Sequence, residues 1–459
     1  MDINPQKIED LLSSANPESS LIKDVLAKAS LAKGLTLKES AVLLSVKSSD
    51  VLQDIYLTAG TVKEKVFGKR IVLFAPLYLS NYCTNNCLYC GFRKDNENAV
   101  RKALTIDEVI SEAKALEEMG FKRILLVCGE DPKVSGLDYI INAVETIYKN
   151  MDIRIIHVNA PPMGVDDLKK LKQTGIGVYQ AFQETYHIPT YRKMHPSGRK
   201  MDYNYRLQIM DRAIEAGFED VGIGCLLGLY DYRFDCLAVI AHSQHLFEKF
   251  GTHAHTISVP RLRPASGSPI KDMPYPVADE DFKKIVAIYR LSVPSAGVVV
   301  STRESAELRE EVLQIGASQI SAGSKTEPGG YSDRVRGQGS GVRAEEQFST
   351  NDHRTMEEMI ASIARNGFMP SLCTACYRVG RTGNVFTSKT LAGDMGKICQ
   401  VNAMLTLQEY IIDHAKNGVG EIGTQAIQQG LEEIKGKDLK KEVLKKIEEI
   451  KAGKRDVYV

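Results

Sequence analysis

Three cysteines fall within eight residues: Cys83, Cys87 and Cys90, spaced C-x3-C-x2-C. Thiolates are soft ligands that suit zinc or iron–sulfur clusters. Structural zinc takes four ligands, usually in two pairs, and three in one loop fit that pattern poorly. A four-iron cluster on three thiolates keeps one iron open to a small molecule. Tyr89, directly before the last cysteine, is placed to shield such a cluster from water. A second set, Cys373, Cys376 and Cys399, has the spacing C-x2-C-x22-C. It too leaves a corner open, unless His353 or His414 completes a structural zinc site. Cys128, Cys225 and Cys236 sit among apolar residues and read as small buried hydrophobes. Nine cysteines, an odd count in a long chain, argue against a disulfide framework.

The elements that must position these thiols show a change of pattern near residue 68. Residues 1–68 carry helical periodicity, clearest at 38–44 and 49–57. Short β-branched runs then alternate with amphipathic helical segments. The runs are 71–79, 123–127, 153–158, 175–182, 220–226, 256–260, 298–301 and 319–322. Helical patterns lie between them at 105–120, 136–150, 165–174, 203–217, 236–250, 278–291 and 306–315. Gly120, Gly175 and Gly217 stand where helices end in a left-handed residue. Eight β units in about 250 residues fit a (β/α)8 barrel of the TIM type better than a doubly wound sheet. Barrel chemistry sits on the loops after the strands, and the first cysteine loop follows the first strand. The Gly/Ser/Arg-rich stretch 327–349 reads as a linker or mobile loop. The expected organisation is an N-terminal helical segment, 1–68, a barrel, 69–345, and a mainly helical C-terminal domain, 346–459, ending in an amphipathic helix at 431–451.

Composition narrows the partners. A hydrophobic content of 43%, a charged content of 25% and a net charge of +1 describe a globular chain that attracts neither nucleic acid nor an anionic membrane. No apolar run approaches a membrane span, and residues 1–20 lack the parts of a signal peptide, so a cytoplasmic location is expected.

The cysteine loop, with an aromatic before its third cysteine and a strand before its first, resembles the radical S-adenosylmethionine (SAM) superfamily. That resemblance implies a 4Fe-4S cluster whose open iron chelates SAM, and cleavage of SAM to a 5′-deoxyadenosyl radical. It also implies roles for later residues. In Cys128-Gly129-Glu130-Asp131, Glu130 matches a residue that grips the SAM amino group, although Cys128 replaces a glycine. Glu184, after the fourth strand, matches an acid that bonds the ribose. Arg206 matches an arginine that pairs with the SAM carboxylate. Gly222 and Gly224 resemble a glycine run that admits adenine; tight strand packing is the plainer reading.

Further segments narrow the branch. Gln183-Glu184-Thr185-Tyr186, Tyr191-Arg192-Lys193-Met194-His195, Val259-Pro260-Arg261-Leu262-Arg263-Pro264 and Ser301-Thr302-Arg303-Glu304-Ser305 resemble the aromatic amino-acid lyases, which cleave the Cα–Cβ bond of L-tyrosine to p-cresol and dehydroglycine. A substrate carboxylate is best held by the forked donors of arginine. Arg303 is the candidate, with Ser301 and Ser321 as lesser donors; an ion pair of Arg303 with Glu304 is the competing reading. The second cysteine set resembles that of the HydG-type tyrosine lyases, which mature FeFe-hydrogenase. This resemblance implies an auxiliary 4Fe-4S cluster, with a fifth, labile iron where dehydroglycine breaks down to carbon monoxide and cyanide. His255 is the best match for a histidine on that iron. Strand alternation would put His253 on the same face, as a competitor. An electron donor such as ferredoxin or flavodoxin and other hydrogenase maturation proteins are the implied partners. The alternatives are a 2-iminoacetate (dehydroglycine) synthase for the thiazole of thiamine, which would not need the second set, and an iron–sulfur carrier, which would not need a SAM pocket.

Overall fold

The computed structural model describes residues 3–332 and 344–459. Four helices come first: Pro5–Ser13, Ser19–Ala29, Leu37–Leu44 and Ser49–Phe67. Thr36 opens the third with a capping box, its hydroxyl taking the Glu39 N–H while the Glu39 carboxylate takes the Thr36 N–H.

Eight parallel strands follow: β1 (Arg70–Ser80), β2 (Arg123–Cys128), β3 (Ile155–Asn159), β4 (Val178–Gln180), β5 (Asp220–Gly224), β6 (Thr256–Ser258), β7 (Gly297–Val300) and β8 (Gln319–Ser321). β1 pairs with β2 (Ala75↔Ile124) and with β8 (Phe74↔Ser321), which closes the sheet into a (β/α)8 barrel. Strands enclosed by helices are buried on both faces, which explains their near-continuous apolar runs. The first cysteine loop leaves the C-terminal end of β1, as barrel chemistry requires.

Three local features differ from the sequence expectation. The single helix expected at 203–217 is two, Tyr203–Leu207 and Ile209–Glu215, divided at Gln208 (φ −87°, ψ 5°). The terminal helix expected at 431–451 is likewise divided into Val419–Glu433 and Lys437–Lys451, where Gly436 caps the second. That last helix turns Val443, Ile447 and Ile450 inward, so its apolar stripe docks rather than floats. Thirdly, the mainly helical C-terminal region contributes a strand, β9 (Met369–Ser371), which pairs with the N-terminal end of β1 (Arg70↔Met369, Val72↔Ser371). Three residues are too few to show a period, and Pro370 argues against a strand except at an edge, where β9 lies. Of the Gly-rich stretch expected as a linker, residues 333–343 lie outside the described residues.

The segment after that stretch is tied to the barrel by charge. Asp352 pairs with Arg309 at a site where both side chains are almost fully excluded from solvent. The second Arg309 arm donates to the Ser321 carbonyl on β8. Removing one partner of a buried pair leaves an uncompensated charge. Asp352→Ala is therefore expected to lower stability by about 3–5 kcal/mol, read as a fall in Tm in thermal denaturation.

Candidate active site

A cavity of about 230 Å³ runs through the barrel and collects most of the chemistry-bearing residues. Cys83, Cys87 and Cys90 line its outer end. Backbone bonds from Asn86 N–H to the Ser197 carbonyl (3.2 Å) and from Leu88 N–H to the Met194 carbonyl (3.0 Å) hold their loop in place. Asn85, between the first two cysteines, donates to Glu130 at 2.6 Å, and Thr84 N–H donates to the Glu130 carbonyl at 2.8 Å. The loop after β2 thus grips the cysteine loop through the residue expected to hold a ligand amine.

Burial pushes all three thiols up, Cys87 to about 11 and Cys90 to about 12. The charge of Cys83 opposes ionisation of Cys87, and the charges of both oppose that of Cys90. Thiols held neutral in this way become ligands when a metal displaces their protons. Among the described residues no group of three or more His, Cys, Asp or Glu is arranged around a single ion. Three thiols from one short loop facing one cavity fall one short of the four ligands structural zinc takes and suit a multi-iron cluster. Cys128 also lines this cavity, whereas Cys225 and Cys236 are fully buried beside Tyr289, as small hydrophobes would be.

Tyr89 stands over the thiols and donates to His195 Nε2 at 2.8 Å; His195 Nδ1–H donates to the Tyr191 carbonyl at 2.8 Å. That arrangement fixes a neutral imidazole, and burial drives the His195 pKa well below its ordinary value. Glu184 lies just past β4 with φ +70°, a left-handed conformation that costs a non-glycine residue energy. It is held by the Leu226 N–H, which donates to its carbonyl at 2.7 Å. Burial raises the Glu184 carboxyl pKa, but Lys200 (2.6 Å) and Arg206 (3.9 Å) outweigh it, and the net shift is downward. Arg206 also donates from Nε to the Phe182 carbonyl at 2.6 Å. Glu130, Glu184, Lys200 and Arg206 all line the cavity. Gly222 and Gly224 do not: a Cβ on Gly222 would meet Thr256 Oγ1 at 2.6 Å, and one on Gly224 the Ser258 carbonyl at 2.8 Å. Close strand packing accounts for both glycines.

Arg303, Ser301 and Ser321 line the opposite wall. The competing partner of Arg303 is engaged elsewhere, because Glu304 accepts from Arg261 Nε at 2.7 Å. Arg303 lies 3.3 Å over the Phe348 ring and donates to the Arg261 carbonyl at 3.2 Å. Burial outweighs the pull of Glu184 and Glu304 and pushes its pKa down to about 10. Among the described residues, Ser321 Oγ is buried with no hydrogen-bond partner, as is that of Ser324, which lines the same cavity. A carboxylate placed here would satisfy both the cation and the hydroxyls.

At its inner end the cavity reaches Arg123 and His157. Arg123 donates to the Cys373 carbonyl at 2.8 Å, which links the cavity to the second cysteine set. Cys373, Cys376 and Cys399 come together, since the charge of Cys399 opposes ionisation of both others. Burial is the larger cause of the rise in each, and Cys376 reaches about 12. Tyr377, beside Cys376, bonds His255 Nε2 at 3.3 Å, while His255 Nδ1 lies 3.2 Å from Asp220. An acid behind a histidine is the usual partner of a metal-bound imidazole. His253 instead bonds Ser243 and stacks on Phe247, with ring centroids 4.4 Å apart. The shared face expected of the two histidines is absent because both precede β6, where strand alternation does not operate.

Lys200, Arg123, His157 and Asp220 carried no signal in the sequence. Each is a common residue type brought to the site by chain segments distant in sequence. Asn85 could have been found, since it lies inside the cysteine motif.

Comparisons with known proteins agree with this geometry. Residues 77–239 match the model of the radical SAM superfamily, and residues 258–369 that of the biotin and thiamin synthesis associated domain. The chain is 34% identical to 2-iminoacetate synthase of Escherichia coli over 341 residues, 74% of this chain and 87% of that protein. A crystal structure of HydG, a maturase of FeFe-hydrogenase, superposes with a TM-score of 0.95 at 46% identity, covering 100% of this chain and 99% of the other. HydG of Carboxydothermus hydrogenoformans superposes at 0.85 with 38% identity, covering 97% of each chain. A thiol-lined barrel mouth and likeness along the whole chain place this protein: it belongs to the radical SAM superfamily, in the group that contains 2-iminoacetate synthase and the hydrogenase maturase HydG.

Proposed function

We propose that this chain is a radical SAM carbon–carbon lyase that cleaves L-tyrosine to p-cresol and dehydroglycine, and that its second cysteine site carries the fragment on to carbon monoxide and cyanide for FeFe-hydrogenase assembly. What supports the reading is one cavity with a three-thiol loop at its mouth, an arginine on its wall with no carboxylate paired to it among the described residues, and a direct bond from its inner end to Cys373 of the second cysteine set.

A 4Fe-4S cluster on Cys83, Cys87 and Cys90, with SAM bound, supplies a hydrogen-abstracting radical. The protein holds and encloses the reactants. Glu130, fixed by Asn85, would accept from the SAM amine. Glu184, kept ionised by Lys200 and Arg206, would accept from the ribose hydroxyls. Arg206 would face the SAM carboxylate. Tyr89, locked by His195, covers the thiols and keeps water from the cavity mouth. Arg303, aided by Ser301 and Ser321, would hold the tyrosine carboxylate. At the far site Cys373, Cys376 and Cys399 would hold an auxiliary 4Fe-4S cluster, and His255, backed by Asp220, would bind a labile fifth iron. A low-potential donor such as ferredoxin or flavodoxin would supply electrons, and other maturation proteins would receive the product.

The reading is tested by anaerobic reconstitution with iron, sulfide, SAM, reductant and tyrosine. Release of p-cresol and of carbon monoxide is expected; a fully loaded enzyme that makes no p-cresol would refute it. The likeness to 2-iminoacetate synthase favours a second reading, in which the chain stops at dehydroglycine. Carbon monoxide formation separates the two. Arg303→Met is expected to raise the KM for tyrosine about 10- to 100-fold, the ~1.5–3 kcal/mol of a hydrogen bond to a charged group, measured as p-cresol formed against tyrosine concentration.

A further inference from the structure

Three deeply buried arginines can be compared. Arg309 is paired with Asp352. Among the described residues Arg290 has no acid but is caged by carbonyls, with bonds to those of Pro294 (2.8 Å), Ala296 (2.8 Å) and Gly316 (3.1 Å). Arg70 has neither. It is 7% exposed, lies 4.6 Å over the Phe67 ring, and its Nη1 is buried without a hydrogen-bond partner. Among the described residues no carboxylate pairs with it. Nor is its surrounding negative: its charge bears on two other buried cations, Lys63 and Arg290. A buried cation with no countercharge is costly and calls for an anion.

The geometry locates that anion. Arg70 opens β1 and lies in register with Met369 on β9, whose last residue, Ser371, is two before Cys373. The N–H of Lys69, the preceding residue, donates at 2.8 Å to the side chain of Gln400, which follows Cys399. Arg70 is therefore bracketed by the two segments that carry the second cysteine set. Its charge eases ionisation of both Cys373 and Cys376.

We propose that Arg70 is the countercharge of the second site, a positioning residue whose guanidinium pairs with the negative charge of an iron–sulfur cluster on Cys373, Cys376 and Cys399. This rests on the reading of that site given above. Three thiolates outweigh the positive charge of a cubane core, so the held cluster is a net anion, and more so once reduced. A cation beside it favours both retention of the cluster and its reduction. β1 then serves both ends of the barrel, with Arg70 under the far site and the Cys83 loop at its other end.

Arg70→Gln and Arg70→Lys in the full chain test this by iron content and by paramagnetic-resonance titration, with the first cluster's signal as reference in each sample. In Arg70→Gln the second cluster is expected to bind about 10- to 100-fold more weakly and to reduce at a more negative potential; Arg70→Lys restores occupancy in part. Without metal, Arg70→Gln should melt at or above the wild-type temperature, because an unpaired buried charge has been removed. Unchanged iron content and potential in Arg70→Gln, or a lower melting temperature of its metal-free form, would overturn the proposal. Wild-type protein that binds iron at the first site alone would instead refute the second site itself.

Discussion

Cys87→Ala is expected to abolish p-cresol and 5′-deoxyadenosine formation together, down to the level seen without enzyme, while the second cysteine set keeps its iron. Cys87 is buried, and its thiol shares the cavity mouth with Cys83 and Cys90. Removing it leaves two thiols where three are needed to hold a four-iron cluster with an open corner. Cys128 lines the same cavity but stands at the end of β2, outside the loop that carries the three thiols, and does not take the place of Cys87. The fold should survive, because alanine fills most of a small buried position, and circular dichroism checks this. Iron analysis should find roughly half the wild-type content. Continued p-cresol formation by this variant would show that the loop does not initiate the reaction.

The second large effect is a separation of products. Cys373→Ser with Cys376→Ser is expected to leave p-cresol formation within a few-fold of wild type and to eliminate carbon monoxide and cyanide. The proposed tyrosine site, Arg303, Ser301 and Ser321, lines the barrel cavity and shares no residue with the far set. Communication passes through the cavity's inner end, where Arg123 bonds the Cys373 carbonyl, a backbone contact that serine preserves. Gas-phase detection of carbon monoxide beside chromatographic p-cresol measures both products in one reaction. Equal loss of both would mean that the C-terminal region only stabilises the barrel.

Much of this protein is legible from sequence because its signals are local. Cys83, Cys87 and Cys90 sit within one loop, so spacing alone exposes their shared chemistry. The apolar strand runs are continuous because every barrel strand is covered on both faces. The resemblance points to Glu184, and the fold places it in the cavity just past β4. The sequence offers Arg303 both a substrate carboxylate and Glu304, and only the fold, by giving Glu304 to Arg261, leaves Arg303 to the cavity.

What the sequence by itself determined was the class of chemistry, two three-thiol sites, and the barrel that carries the first. What only the tertiary structure decided was how distant segments meet. β9 was invisible because three residues containing a proline hold no period, yet it fastens the second cysteine loop to β1. Lys200 joins Glu184, Asp220 backs His255 while His253 turns away, and Arg70 lies between the segments that carry Cys373 and Cys399. Each of these depends on where the closed sheet brings charge and burial together. That is a property of the assembled barrel, and no window of neighbouring residues contains it.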